Sequence, residues 1–158
     1  MENTNMISSV GEEKKSPAVE LATELYKNIT MGSDAVVHLL PKVKDNDIKT
    51  SMTASMCYYE KAAGKVKSFL HEHGAVAKEE PLMTRMASRM GIAMNTAMDA
   101  TSSHVAQMLI EGSTMAITES TRLCHRFEGQ KGCEEMLTVA KDLAEFEQSH
   151  IEKLKAFL

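Results

Sequence analysis

Apolar residues recur at steps of three and four along most of the chain, which is the spacing of one face of an α-helix. The first such stretch begins at Pro17, a residue suited to the first helical position, and Ser16 is placed to cap it. This stretch ends near Leu40. No segment alternates apolar and polar residues as a half-buried strand would. The pattern therefore predicts an all-α fold.

A second helical stretch begins at a cap provided by Asp45 or Asp47 and ends near His73, where Gly74 favours termination. Only a short turn separates it from the first stretch, which predicts two antiparallel neighbours. Its predicted inner face repeats with heptad spacing. The residues of that face are Ile48, Met52, Ser55, Tyr59, Ala62, Val66 and Phe69.

Pro81 opens a third helical stretch, and its apolar stripe keeps the same phase to about Phe127. The later positions of this stripe include Val105, Met108, Met115, Ala116 and Leu123. One extended helix is therefore expected. The alternative is a kink or a break at Gly91 or within residues 99–103. A break would divide the stretch into a crossover helix and a separate third helix of the bundle.

A glycine-containing loop then turns the chain into a last helix, from Cys133 to Leu158. Four amphipathic helices joined in this way predict a four-helix bundle with up-down order. We expect residues 17–158 to form one domain. The polar residues 1–16 that precede it are expected to form a flexible tail.

Composition and charge narrow the class of protein. The net charge is −4 and both signs are spread along the chain, so no basic stripe for nucleic acid is expected. No apolar run reaches the length of about eighteen residues that a membrane span needs. The first residues lack the apolar run of a signal peptide, and 3 cysteines do not form a disulfide framework. A cytoplasmic protein with free thiols is expected.

Methionine is frequent, with 13 residues, while aromatic residues are scarce and Trp is absent. The methionines from Met83 to Met98 lie on one stripe, and an extended third helix would carry that stripe beyond its partners. Exposed apolar surface of this kind usually marks a protein contact. We therefore expect a homodimer that buries the Met83–Met98 stripe.

The last helix carries a Glu-x-x-His pair, Glu147 and His150. Residues three apart share a helix face, and this pair straddles the line set by Leu143 and Leu154, so both side chains should point into the bundle. A buried carboxylate and imidazole need partners. A metal ion is one candidate, and a hydrogen bond is the other. The side chains suited to that hydrogen bond are Tyr59, Ser55 and Thr101.

Three further side chains of the third stretch are candidate metal ligands. Glu119 lies on the apolar stripe, but roughly 9–10 Å along the bundle axis from Glu147. Glu111 has the right height and points about 90° away from the stripe. His104 lies on the flank of Glu111, two turns earlier. The metal ligands that we expect from the sequence are Glu147, His150, Glu111, Glu119 and His104.

The helix order, the longer connection before the third helix and the Glu-x-x-His of the last helix resemble the ferritin-like superfamily. Residues 103–115 and 146–155 also resemble segments of small ferritin-like proteins of anaerobic bacteria. The resemblance implies a metal site, with iron as the expected metal, held by Glu147, His150 and an acid of the third helix. It also implies iron or oxygen handling.

The first two helices hold no second Glu-x-x-His pair, so the ligand set of a di-iron enzyme is incomplete. A partial or altered metal site is therefore expected rather than a full catalytic cycle. The alternative is a non-catalytic helical bundle that forms a homodimer and binds no metal. In that case the polar pair would serve packing specificity.

Overall fold

The computed structural model describes residues 15–78 and 101–158. Within them the chain forms four long helices and two short 3-10 turns, with no strand, which confirms the all-α fold class. The turns follow the first and the last helix, at Leu40–Lys42 and Lys155–Phe157. The helices are α1 (Pro17–Leu39), α2 (Asn46–Glu72), α3 (Ser102–Phe127) and α4 (Glu134–Leu154).

Both predicted N-terminal caps of the first half are confirmed. Ser16 Oγ accepts a hydrogen bond of 3.3 Å from the backbone N–H of Val19, and Pro17 takes the first helical position of α1. Asp45 Oδ1 accepts from the backbone N–H groups of Asp47 and Ile48 at 2.9 and 3.0 Å. These contacts satisfy donors that a helix start leaves without partners.

The third helix begins later than the unbroken apolar stripe suggested. Thr101 is extended, with φ −62° and ψ 146°, and its side chain accepts from the backbone N–H of His104. An unbroken helix from Pro81 to Phe127 is therefore wrong, and the break falls within residues 99–103. The hydroxyl side chains there favour a cap over a continued helix. The Met83–Met98 stripe and the predicted tail, apart from its last two residues, lie outside the described residues.

Two long-range contacts fix the direction of α3. Ser102 Oγ donates a 3.0 Å hydrogen bond to Asp45 Oδ2, so α3 starts at the end where α2 starts. Arg126 pairs with Glu20, so α3 finishes where α1 begins. Helices α2 and α3 are therefore parallel, and the order of the four helices is up, down, down, up. The strict up-down alternation predicted from the sequence does not hold between α2 and α3.

The core lies along the shared axis and is mostly aliphatic. All seven positions of the predicted inner face of α2 are buried. Helix α3 differs from its prediction, because it turns Ser113 and Ser120 inward while Met108 and Met115 are only half-buried. No helix among the described residues is both long and apolar enough to cross a membrane.

Candidate functional site

The Glu-x-x-His pair of α4 points into the bundle, as its spacing predicted. Glu147 is 0% exposed and His150 is 5% exposed. Leu143 and Leu154, on the same face of α4, are fully buried around them. Burial of this degree disfavours the charged form of both side chains. Their hydrogen-bond partners therefore decide what the pair can do.

Glu147 is held by a tyrosine of α2. The phenol of Tyr59 donates a 2.7 Å hydrogen bond to Glu147 Oε1. Burial and the adjacent carboxylate raise the pKa of Tyr59 well above its ordinary value. The phenol therefore stays protonated and acts as the hydrogen-bond donor. Gly32 of α1 makes room for this contact, because a Cβ there would lie 2.8 Å from Cζ of Tyr59.

His150 is held by a serine of α2. Its Nε2 lies 3.1 Å from Ser55 Oγ, and the Ser55 hydroxyl lies 3.1 Å from the backbone carbonyl of Ser51. Because that carbonyl can only accept, the single hydroxyl hydrogen goes to it, and Ser55 then accepts from the imidazole. This network assigns the proton to Nε2 and leaves Nδ1 with a free lone pair.

The predicted hydrogen bonds of the pair to Tyr59 and Ser55 are therefore confirmed. The third candidate, Thr101, caps α3 instead.

Burial shifts the titration of both residues. Burial, together with the Lys153 ammonium, lowers the pKa of His150 from 6.5 to about 4. The imidazole is therefore neutral at pH 7. Burial also raises the pKa of Glu147, and the hydroxyls of Tyr59 and Ser113 oppose that shift. The Ser113 hydroxyl lies near the carboxyl group but makes no hydrogen bond of standard geometry to Oε2.

A third buried polar side chain, Asn28 of α1, was not predicted. Its Nδ2 donates to the Ala116 carbonyl at 3.2 Å and lies 3.1 Å from Ser120 Oγ. These bonds fix the orientation of the amide, because a flipped amide would set its oxygen against the carbonyl of Ala116. The signal in the sequence was an amide between the apolar positions Leu25 and Ile29.

Glu147, His150 and Asn28 share one feature. Each has one polar atom tied by a hydrogen bond, and the other has no partner among the described residues. The unpartnered atoms are Glu147 Oε2, His150 Nδ1 and Asn28 Oδ1. All three side chains line one cavity of about 30 Å³, here termed the inner cavity, together with Tyr59 and Ser113. That volume suits an ion or one or two water molecules.

The other candidate ligands lie elsewhere. Glu111 is exposed and accepts a hydrogen bond from Gln107, while Glu119 pairs with Arg122 at 2.8 Å. His104 is half-buried in the first turn of α3. None of the three lines the inner cavity, because Ser113 and Ser120 occupy the inward face of α3. In the described part of the chain, no three His, Cys, Asp or Glu side chains converge as a metal-binding group.

Comparison with known proteins assigns no family to the chain. No protein-family model matches it. No match was found among curated proteins or among solved structures. Function is therefore inferred from the chemistry of the inner cavity.

Proposed function

We propose that this protein is a ferritin-like bundle with an altered metal site, in which Glu147 and His150 bind one divalent metal ion, with iron as the expected metal. The observation that carries the proposal is the set of unpartnered acceptor atoms on three buried side chains around one cavity. A buried acceptor without a donor is costly. A cation at this position would satisfy two of them directly.

The donor set fits such an ion. A neutral imidazole nitrogen and a carboxylate oxygen suit iron, manganese or zinc. A histidine that ligates a metal normally donates its other ring N–H to an acceptor, and the Nε2 to Ser55 contact is of that kind. Tyr59 similarly fixes the carboxylate through its other oxygen. Within the described residues, Glu147 Oε2 and His150 Nδ1 are therefore left free as donor atoms for one ion, while their other polar atoms remain bonded to α2.

A single ion is favoured over a pair, because one carboxylate and one imidazole offset little of the charge of two divalent ions. Asn28 lies one helical turn before Gly32, which is level with Tyr59. It is therefore about 6 Å from Tyr59 along the bundle axis. Its Oδ1 is thus placed to accept a hydrogen bond from a water molecule beside the ion rather than to bind the ion itself. Bound iron would supply a one-electron redox centre, while the surrounding side chains exclude bulk water from it.

The helix order also supports the ferritin-like part of the proposal. Bundles of that class have one long crossover connection, which joins helices that run in the same direction. Parallel α2 and α3 require a connection of this kind between them.

Metal content of matched variants tests the proposal. We expect roughly one equivalent of Fe²⁺ to remain with the wild-type protein after anaerobic loading and desalting, and less than about a tenth of that in Glu147→Gln/His150→Gln. The control variants Glu111→Gln and Glu119→Gln change acids outside the inner cavity and should keep the metal. Unchanged iron content in the double variant would exclude this site.

A second candidate function is a non-catalytic bundle that forms a homodimer. Its metal-free core is favoured by the hydrogen bonds of Glu147 to Tyr59 and of His150 to Ser55, which need no ion. The dimer itself is the expectation drawn from the Met83–Met98 stripe. Buried polar pairs can fix how helices align. Light scattering tests the dimer, which should become a monomer in Met90→Glu/Met94→Glu. A monomer mass for the wild-type protein would contradict it.

A further inference from the structure

His150 lies between two cavities. Among the described residues it alone lines both the inner cavity and a larger cavity of about 440 Å³ between α2 and α4, here termed the outer groove. The walls of the outer groove include Ser51, Ala54 and Ser55 on α2 and Ser149 and Lys153 on α4. Only the imidazole therefore belongs to both spaces.

The outer groove has mixed walls, in which hydroxyl groups lie beside aromatic rings and the charges of Asp47 and Lys153 oppose each other. Hydroxyl groups of Ser51, Ser55 and Ser149 line it, and they can replace the water around a solute that moves inward. The side of the inner cavity between α1 and α3 is different, because Met108, Gly112 and other apolar residues line it. A hydrated ion loses its water shell at an apolar wall without replacement, which is unfavourable.

The His150 ring is held by one hydrogen bond and by packing against Phe146, whose ring centre lies 5.9 Å away. The hydrogen bond joins Nε2 to Ser55, and Nδ1 has no partner among the described residues. Rotation of the ring breaks this hydrogen bond, at about 1 kcal/mol, and also the contact with Phe146, so it requires a local opening between α2 and α4. A rotated ring would join the outer groove to the inner cavity.

We propose that the outer groove is the access route by which small polar solutes, including a hydrated divalent cation, reach Glu147, and that His150 moves aside to admit them. The cation part rests on the proposed function. The route itself does not, and it can be measured without a metal.

The metal-free test uses an engineered thiol in the inner cavity. Ser113→Cys places it beside Glu147, in a background with Cys57→Ser and Cys124→Ser. The remaining native thiol, Cys133, is buried and its pKa is raised by burial, so it reacts slowly. Labelling by methyl methanethiosulfonate, a small neutral reagent, is followed by mass spectrometry.

Two blocking variants distinguish the routes. Ala54 is exposed and lines the outer groove, so Ala54→Trp should slow labelling of the engineered thiol about tenfold, because a local opening must then precede entry. Gly112→Trp obstructs the side between α1 and α3 and should leave the rate unchanged. Nothing lies within 4 Å of a Cβ at Gly112, so the backbone accepts a side chain there.

Ser149→Tyr repeats the block from the opposite wall, and circular dichroism checks that each variant is folded. The proposal is overturned when labelling slows in Gly112→Trp but not in Ala54→Trp or Ser149→Tyr.

Cobalt loading separates this inference from the metal proposal. With the native thiols and Ser113 restored, Ala54→Trp should slow the appearance of the Co²⁺ absorption bands without changing their final intensity. Absence of any Co²⁺ or Fe²⁺ binding would refute the metal site, while the labelling rates would still decide the route. Equal Co²⁺ rates in Ala54→Trp and in the wild-type protein would refute the route for cations.

Discussion

Gly32 matters through the side chain that it lacks. A Cβ at this position would meet Cζ and Oη of Tyr59 at 2.8 and 3.0 Å, and Tyr59 is buried, so its ring has little room to move. Gly32→Ala should therefore destabilise the protein by about 1–3 kcal/mol through overpacking, although alanine favours a helix. Urea unfolding measures this difference.

The matched control is Gly64→Ala in α2, where nothing lies within 4 Å of a Cβ. There the substitution should stabilise the protein by up to about 1 kcal/mol, because only the helical preference of alanine acts. Equal stabilisation at both positions would show that Tyr59 does not need the space above Gly32.

His150 gives the stability of the protein a distinct pH dependence. Its pKa is about 4 in the folded protein and 6.5 without the fold, so between these values the unfolded chain binds more protons. The contribution of the neutral imidazole is complete above pH 6.5 and is lost as the pH falls towards 4. Glu147 has a raised pKa, so its contribution has the opposite sign and is lost as the pH rises.

Comparison with His150→Gln isolates the histidine, because glutamine can still bond to Ser55 and does not titrate. The difference in unfolding free energy between the two proteins should shrink by about 2 kcal/mol from pH 7.5 to pH 5. Urea titrations at the two pH values measure it. A difference that stays constant with pH would mean that His150 is not held neutral.

At the level of helices, the sequence predicted α2 well and α3 less well. The inner face of α2 is marked by large apolar residues at heptad spacing, and burial follows them. In α3 the predicted inner face included Met108 and Met115, which are not fully buried. Ser113 and Ser120 are buried instead. Val105, Ala116 and Leu123 of the predicted stripe are buried, so hydrophobicity located the face in part and missed the small polar side chains that share it.

The orientation of α3 can be tested by substitution on adjacent positions. Ser120 is 0% exposed and lies against Asn28, so Ser120→Leu should destabilise the protein by about 1–3 kcal/mol. Glu119 is part-exposed at the edge of the helix, so Glu119→Leu should change stability by less than about 0.5 kcal/mol. Urea unfolding compares the two variants, and the reverse order would contradict the observed face.

For the whole molecule, the pattern of apolar residues predicted the helices but not their directions. Amphipathic spacing shows which face of a helix is buried. It carries no information about whether the next helix is antiparallel or parallel to it. The parallel arrangement of α2 and α3 depends on contacts such as that of Asp45 with Ser102, between residues far apart in the chain. Asn28 was missed for the same reason, because its role depends on α3.

Metal binding should stabilise the whole bundle, because the inner cavity is lined by residues of all four helices and exists only in the folded chain. A ligand at 100 times its dissociation constant adds about 2.7 kcal/mol to the free energy of unfolding. For a chain of this length, that corresponds to a rise in Tm of roughly 5–10 °C.

We therefore expect Tm to rise with Fe²⁺ concentration under anaerobic conditions and to return to its starting value after chelation. Glu147→Gln/His150→Gln should show no rise, whereas Glu119→Gln should behave like the wild-type protein. Differential scanning calorimetry measures the shift. An equal shift in the double variant would place the stabilising ion outside the inner cavity, because neither variant side chain could then be responsible for binding it.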